Sequence, residues 1–394
     1  MRILFIGHEK EINSALGMIS DKYIYSEEDV IETCIWNDAV SVYKLIVHNE
    51  TVYDWYIVIG SQEKQSEEIC YLLTTAFNIS SEKIIDYYLF YNTTKPFMHI
   101  DTMLGIPNTH YDGLVLGISH AEVGIIPELL NGSYVNLSVS SQDIFFNYKS
   151  LEYCMAKFPE KIKGLNHLII DLFDYTYFNY DISKSRMYVP YLGWGGFNKD
   201  KHNFDLNKNY NYKFEDIVNA LLEERYKGIT DSKIDFWADL FGDIHNKDYY
   251  KGYTVPDRIS FRNRVVTDKD VEEYKVETPI VVKHFSETIE ENIQLFIKLI
   301  ELARTINPDI RISCILLPRY AKAQEKAEYI YSKWREEFYE IIKSVRDKYE
   351  FEFIDFKKSE IANHPEYFYD ISHLNYAGAM VFSKILADTL QLNS

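Results

Sequence analysis

The sequence predicts an α/β protein of two units, each built on a parallel sheet covered by helices. Three observations lead there. Short, continuously apolar runs recur along the chain, as strands buried on both faces of a parallel sheet require. Apolar residues at helical spacing lie between the later runs. Pro96, Gly105, Pro107 and Asn108 interrupt the pattern and separate residues 1–105 from residues 106–394.

In the first unit, Arg2–Gly7 (RILFIG), Tyr56–Gly60 (YIVIG) and Ile84–Tyr88 read as strands, and Ile69, Leu72, Leu73 and Phe77 line one face of a helix. The outline is Rossmann-like. It lacks Gly-x-Gly-x-x-Gly, and His8 and Glu9 occupy positions where a pyrophosphate needs close backbone approach, so dinucleotide binding is not expected. In the second unit, Leu114–Leu116, Tyr134–Val139, His167–Leu172, Ile312–Leu317 and Phe351–Phe356 read as strands. Ile289, Ile293, Phe296, Ile300 and Ala303 form one helical stripe, and Trp334, Phe338, Ile341 and Val345 another. The stretch from about 185 to 285 breaks this rhythm and reads as an inserted lid or binding segment. Its Arg258, Arg262 and Arg264 suit either an anionic substrate or pairing with surface carboxylates.

Composition removes several function classes. The chain has 394 residues, 46% of them apolar, and a formal net charge of -18 with 60 acidic side chains. A surface so acidic repels a phosphate backbone, so no nucleic-acid partner is expected. Cys34, Cys70, Cys154 and Cys314 are scattered in apolar surroundings, which points to buried thiols rather than a disulfide framework or zinc site. MRILFIGHEKEI lacks a signal-peptide core, and no apolar run reaches the ~18 residues a membrane span needs. The expected location is cytoplasmic. Oligomeric state leaves no mark in the sequence.

Two segments carry chemistry. In Gly113–Gly124 (GLVLGISHAEVG) an apolar strand runs into Gly117-Ile118-Ser119 and then a helix. A serine there lies at the strand's C-terminal end, where open α/β sheets bind ligands. It is a candidate nucleophile or a helix N-cap. The neighbouring His120 either contacts substrate or the oxyanion, or is a solvated or packed residue at the exposed start of a helix. Ala121 replaces the last glycine of a Gly-x-Ser-x-Gly elbow, so the α/β-hydrolase pattern does not fit. In Tyr367–Leu386 (YFYDISHLNYAGAMVFSKIL), Asp370 precedes His373 by three residues, just before a helix. A carboxylate at that spacing can fold back onto Nδ1–H and leave Nε2 as a base; alternatively both residues cap local structure. Asp370, His373 and His364 offer metal donors, but without the tight spacing of a third ligand no metal site is expected.

Together, a serine after the first strand and Asp370-x-x-His373-Leu374-Asn375 before an Ala-Gly helix start resemble the SGNH/GDSL hydrolase family, from Gly113 to the C-terminus. The resemblance implies a three-layer flavodoxin-like domain, with Ser119 as nucleophile, His373 as general base and Asp370 as its orienter. It implies acyl-ester hydrolysis or O-acyl transfer through an acyl-serine, without a cofactor. The Gly-x-Ser-His form is similar to relatives that modify bacterial surface polysaccharides, which implies an acylated carbohydrate or small ester as substrate, with an acyl donor if the reaction is transfer. The first unit resembles small nucleotide-binding-like domains attached to sugar-modifying enzymes, which implies a sugar-nucleotide site, a docking module or a scaffold without a ligand.

The chain departs from the family pattern at three places. Its first block reads Gly117-Ile118-Ser119 rather than Gly-Asp-Ser. Ser141 stands at the glycine that supplies an oxyanion N–H, and Phe173-Asp174-Tyr175 follows the third strand without the asparagine donor. Ser141, His120 and Asp174 are therefore the candidates for oxyanion or substrate contact. The alternative is a non-catalytic carbohydrate-binding or polysaccharide-assembly protein on the same scaffold.

Overall fold

A computed structural model describes residues 1–16, 19, 23, 26–37, 42–43, 52–61, 63–87, 100, 103–106, 108–182, 231–240, 249–250, 253–254 and 264–392. Tyr88, Pro96, Pro107, Arg258, Arg262 and most of the 185–285 stretch lie outside them. The chain divides into two compact units. The first comprises Met1–Lys95, Val189–Gly196 and Glu215–Lys247; the second comprises Pro96–Tyr188, Phe197–Phe214 and Asp248–Ser394.

The first unit holds a four-stranded, all-parallel sheet in the order β2-β1-β3-β4. Its elements are β1 (Arg2–Gly7), α1 (Glu9–Leu16), β2 (Val30–Ile35), β3 (Trp55–Ile59), α2 (Glu63–Thr75) and β4 (Ile84–Asp86). Leu4, Ile6, Tyr56 and Val58 pack against Ile69 and Leu73 of α2. β2 was not foreseen. It lies at the sheet edge, and its sequence VIETCI puts Glu and Thr where one face stays partly exposed, so no continuous apolar run marks it.

The second unit runs β5 (Gly113–Leu116), α3 (Ser119–Gly124), β6 (Tyr134–Asn136), α4 (Ile144–Lys157), β7 (His167–Asp171), β8 (Tyr249–Tyr250), β9 (Tyr253–Thr254), α5 (Ser286–Ile306), β10 (Arg311–Leu316), α6 (Ala321–Arg346), β11 (Glu352–Asp355) and α7 (Tyr376–Thr389). β8 and β9 form a short antiparallel ribbon. The other five strands form an all-parallel sheet in the order β11-β10-β7-β5-β6. Counted along the chain, that order is 2-1-3-4-5, the flavodoxin-like arrangement. Val115, Ile169 and Ile315 face a core shared with Ala121 of α3 and with Phe382 and Leu386 of α7. On the opposite face, Phe178 meets Phe296 of α5 and Phe338 of α6, and Phe338 packs on Phe353 of β11. Helices thus cover both faces, giving three layers. The order reverses at β5, between β6 and β7, so the crevice at the C-terminal ends of these strands is where such a sheet opens a ligand site.

Cys34, Cys154 and Cys314 are buried free thiols, whereas Cys70, also free, is partly buried. Among the described residues, no helix is long and apolar enough to cross a membrane.

Candidate active site

Ser119 begins α3 directly beyond β5. The turn needs Gly117: a Cβ there would stand 2.6 Å from Cβ of Asp171, at the end of neighbouring β7. The N-cap is Ile118, in extended conformation, not Ser119. The serine hydroxyl is thereby free for another partner, and it lies 2.8 Å from Nε2 of His373.

His373 sits in a loop closed at its base. Phe368 and Leu374 form an isolated antiparallel bridge, and Tyr369 N–H donates to the His373 carbonyl. Asn375 caps α7 by accepting from Gly378 N–H, while its own N–H donates to the Tyr367 carbonyl and its amide donates to the Glu366 carbonyl. Gly378 is required there, because a Cβ would lie 2.1 Å from the Tyr367 carbonyl oxygen. Within the loop, Asp370 Oδ1 accepts from Ser372 N–H and His373 N–H, both at 2.8 Å. The same carboxylate lies 2.9 Å from His373 Nδ1 through Oδ2. For Asp370, turn capping and imidazole orientation are therefore one arrangement, whereas the helix is capped by Asn375 and not by His373. Burial raises the pKa of Asp370, but the His373 charge and the hydrogen bonds from His373 and Ser372 outweigh it and hold the pKa at about 2.

Aromatic rings lie on both sides of the His373 imidazole. Tyr369 stacks on it at 5.3 Å between centroids and 13°, and His120 at 4.3 Å and 21°. Phe173 packs against His120 in turn, at 4.9 Å. Both His120 ring nitrogens are buried without a hydrogen-bond partner. Burial, followed by the neighbouring His373 ring, Arg319 and Lys357, holds the His120 pKa well below the usual value for histidine.

Ser141 adopts φ +65°, the left-handed backbone that glycine takes without cost. Its peptide is fixed by neighbours: Tyr180 Oη donates to the Ser141 carbonyl at 2.7 Å, and Tyr177 Oη donates to the Gln142 carbonyl at 3.0 Å. The backbone bonds Leu137 N–H to Val115 and Val139 N–H to Gly117 extend the β5–β6 register toward both serines. Glu122 of α3 accepts from Ser140 Oγ and ties the two loops together. Among the described residues, neither Ser119 N–H nor Ser141 N–H has a hydrogen-bond partner.

Asp174 takes a different place from the candidate role read from the sequence. Its carboxylate is buried, accepts from Arg319 and Tyr175 N–H, and pairs with Lys357 at 3.4 Å. No bond links it to Ser119, His373 or Asp370, so it is an internal counter-ion rather than an oxyanion contact. Burial holds the Lys357 pKa below the usual lysine value. Asp171, fully buried under the Gly117 turn, accepts from Phe173 N–H, and burial raises its pKa to about 7. Arg264 pairs with Asp270 at 2.9 Å, and His364 is bonded to Glu366 at 3.1 Å. No group of three or more His, Cys, Asp or Glu suited to a metal ion occurs among the described residues.

The structure thus unites Ser119, His120, Asp370 and His373 and sets Asp174 apart. The sequence reading missed Tyr369, Phe173, Asp171, Arg319 and Lys357. The Tyr367–His373 segment contained a signal for Tyr369, which lies next to Asp370; the others come from separate parts of the chain.

No family model and no curated protein matches this sequence. Among solved structures, a Streptococcus pneumonia protein provisionally described as a platelet activating factor aligns with 11% identity and a TM-score of 0.38, over 77% of this chain and 94% of its own. A likeness of that degree says nothing about activity.

Proposed function

We propose that the second unit is an SGNH/GDSL-type enzyme that cleaves or transfers acyl esters through an acyl-serine, with an acylated carbohydrate or small ester as substrate. The observation that carries this reading is the continuous relay from Ser119 Oγ to His373 Nε2, 2.8 Å, and from His373 Nδ1 to Asp370, 2.9 Å. These are hydrogen-bonding distances for a nucleophile, a base and an orienting carboxylate.

Ser119 Oγ attacks the ester carbonyl carbon, its proton passes to His373 Nε2, and the carbonyl π pair moves onto oxygen. The Ser119 and Ser141 N–H groups stabilise that oxyanion. Collapse restores C=O and breaks the bond to the alkoxide, which takes the proton from His373. Water or a sugar hydroxyl then attacks the acyl-serine by the same route in reverse. Water gives hydrolysis, whereas a hydroxyl gives transfer, for which an acylated donor serves as the first substrate. The carbohydrate preference rests on the resemblance of Gly117-Ile118-Ser119-His120 to the polysaccharide-modifying form.

The test is Ser119→Ala with 4-nitrophenyl acetate, alongside intact-mass detection of an acetyl adduct. Loss of about 10⁴-fold or more in turnover, with no adduct, is expected. Undiminished activity in the pure variant overturns the reading. Adding a sugar acceptor and analysing the products separates transfer from hydrolysis.

A further inference from the structure

We infer that His120 is a catalytic residue of the proposed reaction: its ring N–H hydrogen-bonds the oxyanion formed at Ser119 and adds a side-chain donor to the two backbone donors. The inference rests on the serine chemistry proposed above.

Three observations carry it. His120 is 4% exposed, yet neither ring nitrogen has a partner. Every neutral imidazole has one N–H donor and one acceptor nitrogen, and buried polar groups in folded proteins are nearly always satisfied. A packing role is better filled by phenylalanine, which leaves nothing unsatisfied, so the unpaired imidazole points to a partner that arrives with the reaction.

The second observation is position. His120 follows Ser119 directly, and its ring centroid lies 4.3 Å from that of His373, whose Nε2 is 2.8 Å from Ser119 Oγ. An acyl group bonded to Ser119 Oγ is therefore placed next to the residue that carries the unpaired imidazole.

The third is charge state. Burial first, and then the His373 ring and the charges of Arg319 and Lys357, hold the His120 pKa well below the usual histidine value, which keeps the ring neutral. A neutral ring donates a hydrogen bond without repelling the imidazolium that His373 becomes when it accepts the serine proton. No proton is transferred to or from His120; it donates a hydrogen bond that strengthens as charge develops.

The experiment measures steady-state hydrolysis of 4-nitrophenyl acetate by the full chain, wild type against His120→Phe, His120→Gln and His120→Leu, with thermal midpoints measured in parallel. Phe keeps an aromatic ring against His373 and removes the N–H. It should lower kcat by about 10²–10³-fold, as loss of one oxyanion donor does elsewhere, with KM within about twofold and no loss of thermal midpoint. Gln restores a donor and should exceed Leu, which is similar in size, by about tenfold or more. Should His120→Phe fail to fold, the Gln–Leu pair decides the same question. Wild-type kcat in His120→Phe overturns the role of His120 and leaves the serine chemistry standing; so do equal rates for Gln and Leu. A wild-type protein without Ser119-dependent turnover removes both.

Discussion

His167 and His120 occupy opposite ends of one sheet and teach opposite lessons about buried imidazoles. Both are nearly inaccessible, at 2% and 4% exposure, and burial lowers both pKa values, that of His167 to about 4. His167 opens β7 with both nitrogens engaged: Nδ1 lies 2.7 Å from Tyr134 Oη and Nε2 lies 2.9 Å from Ser313 Oγ. His120 lies beyond the C-terminal end of β5 with neither engaged. The first satisfies its neighbours and holds three strands in register; the second carries an unmet demand beside the nucleophile. Burial alone does not separate a structural histidine from a functional one. The bonding inventory does.

The comparison breaks most readily at the third histidine, His373, which is partnered and yet is the proposed base. Asp370→Asn should cost about 10⁴ in kcat, because an amide oxygen does not hold the imidazolium as a carboxylate does. Steady-state assays check this. The folded pKa of Asp370, about 2, lies below its unfolded value, so its contribution to stability is present above about pH 4 and lost as pH falls toward 2. Asp370→Asn should flatten that part of a pH–stability curve.

A second prediction sets the two buried rings directly against each other. His167→Phe should leave kcat unchanged and destabilise by about 1–3 kcal/mol in urea unfolding, because Tyr134 Oη loses its partner while Ser313 Oγ still donates to Glu352. His120→Phe should show the reverse pattern, with kcat lost and stability kept. Equal destabilisation in both variants would erase the distinction.

The pH dependence sharpens it further. Between about pH 6.5 and 4 the unfolded chain binds a proton at residue 167 that the native ring refuses, so stability falls as pH drops through that window. His167→Phe should remove this decline. Asp171 works in the other direction. Its folded pKa, about 7, exceeds the unfolded value, so the protonated form favours the fold at low pH and this advantage is lost as pH rises toward 7. Asp171→Asn should therefore raise the thermal midpoint more at pH 8 than at pH 4. The smallest effect belongs to Ser141→Gly. It relieves a left-handed backbone at φ +65° and keeps the N–H, so stability should rise by about 1 kcal/mol with kcat retained.

What the sequence reveals of this site follows from how local each feature is. The strands of the second unit are legible because strands buried on both faces must be apolar throughout, as GLVL and HLIID nearly are. The edge strand VIETCI is not, because half of its surface answers to water. Asp370 and His373 are legible because three residues suffice to close their turn. The unsatisfied state of His120 is invisible in the chain, since the rings that pack on it, Phe173 just beyond β7 and His373 of the Asp370 loop, come from distant segments. Asp174 reads as a free carboxylate until Arg319, 145 residues onward, folds against it.

The 254-residue separation of Ser119 from His373 also sets a clock. The loop that presents Asp370 and His373 is held by Asn375 and by the start of α7, among the last parts of the second unit to be made. At roughly 5–20 residues per second of synthesis, the nucleophile precedes its base by roughly 10–50 s. On the proposed chemistry, the serine is an ordinary alcohol during that interval.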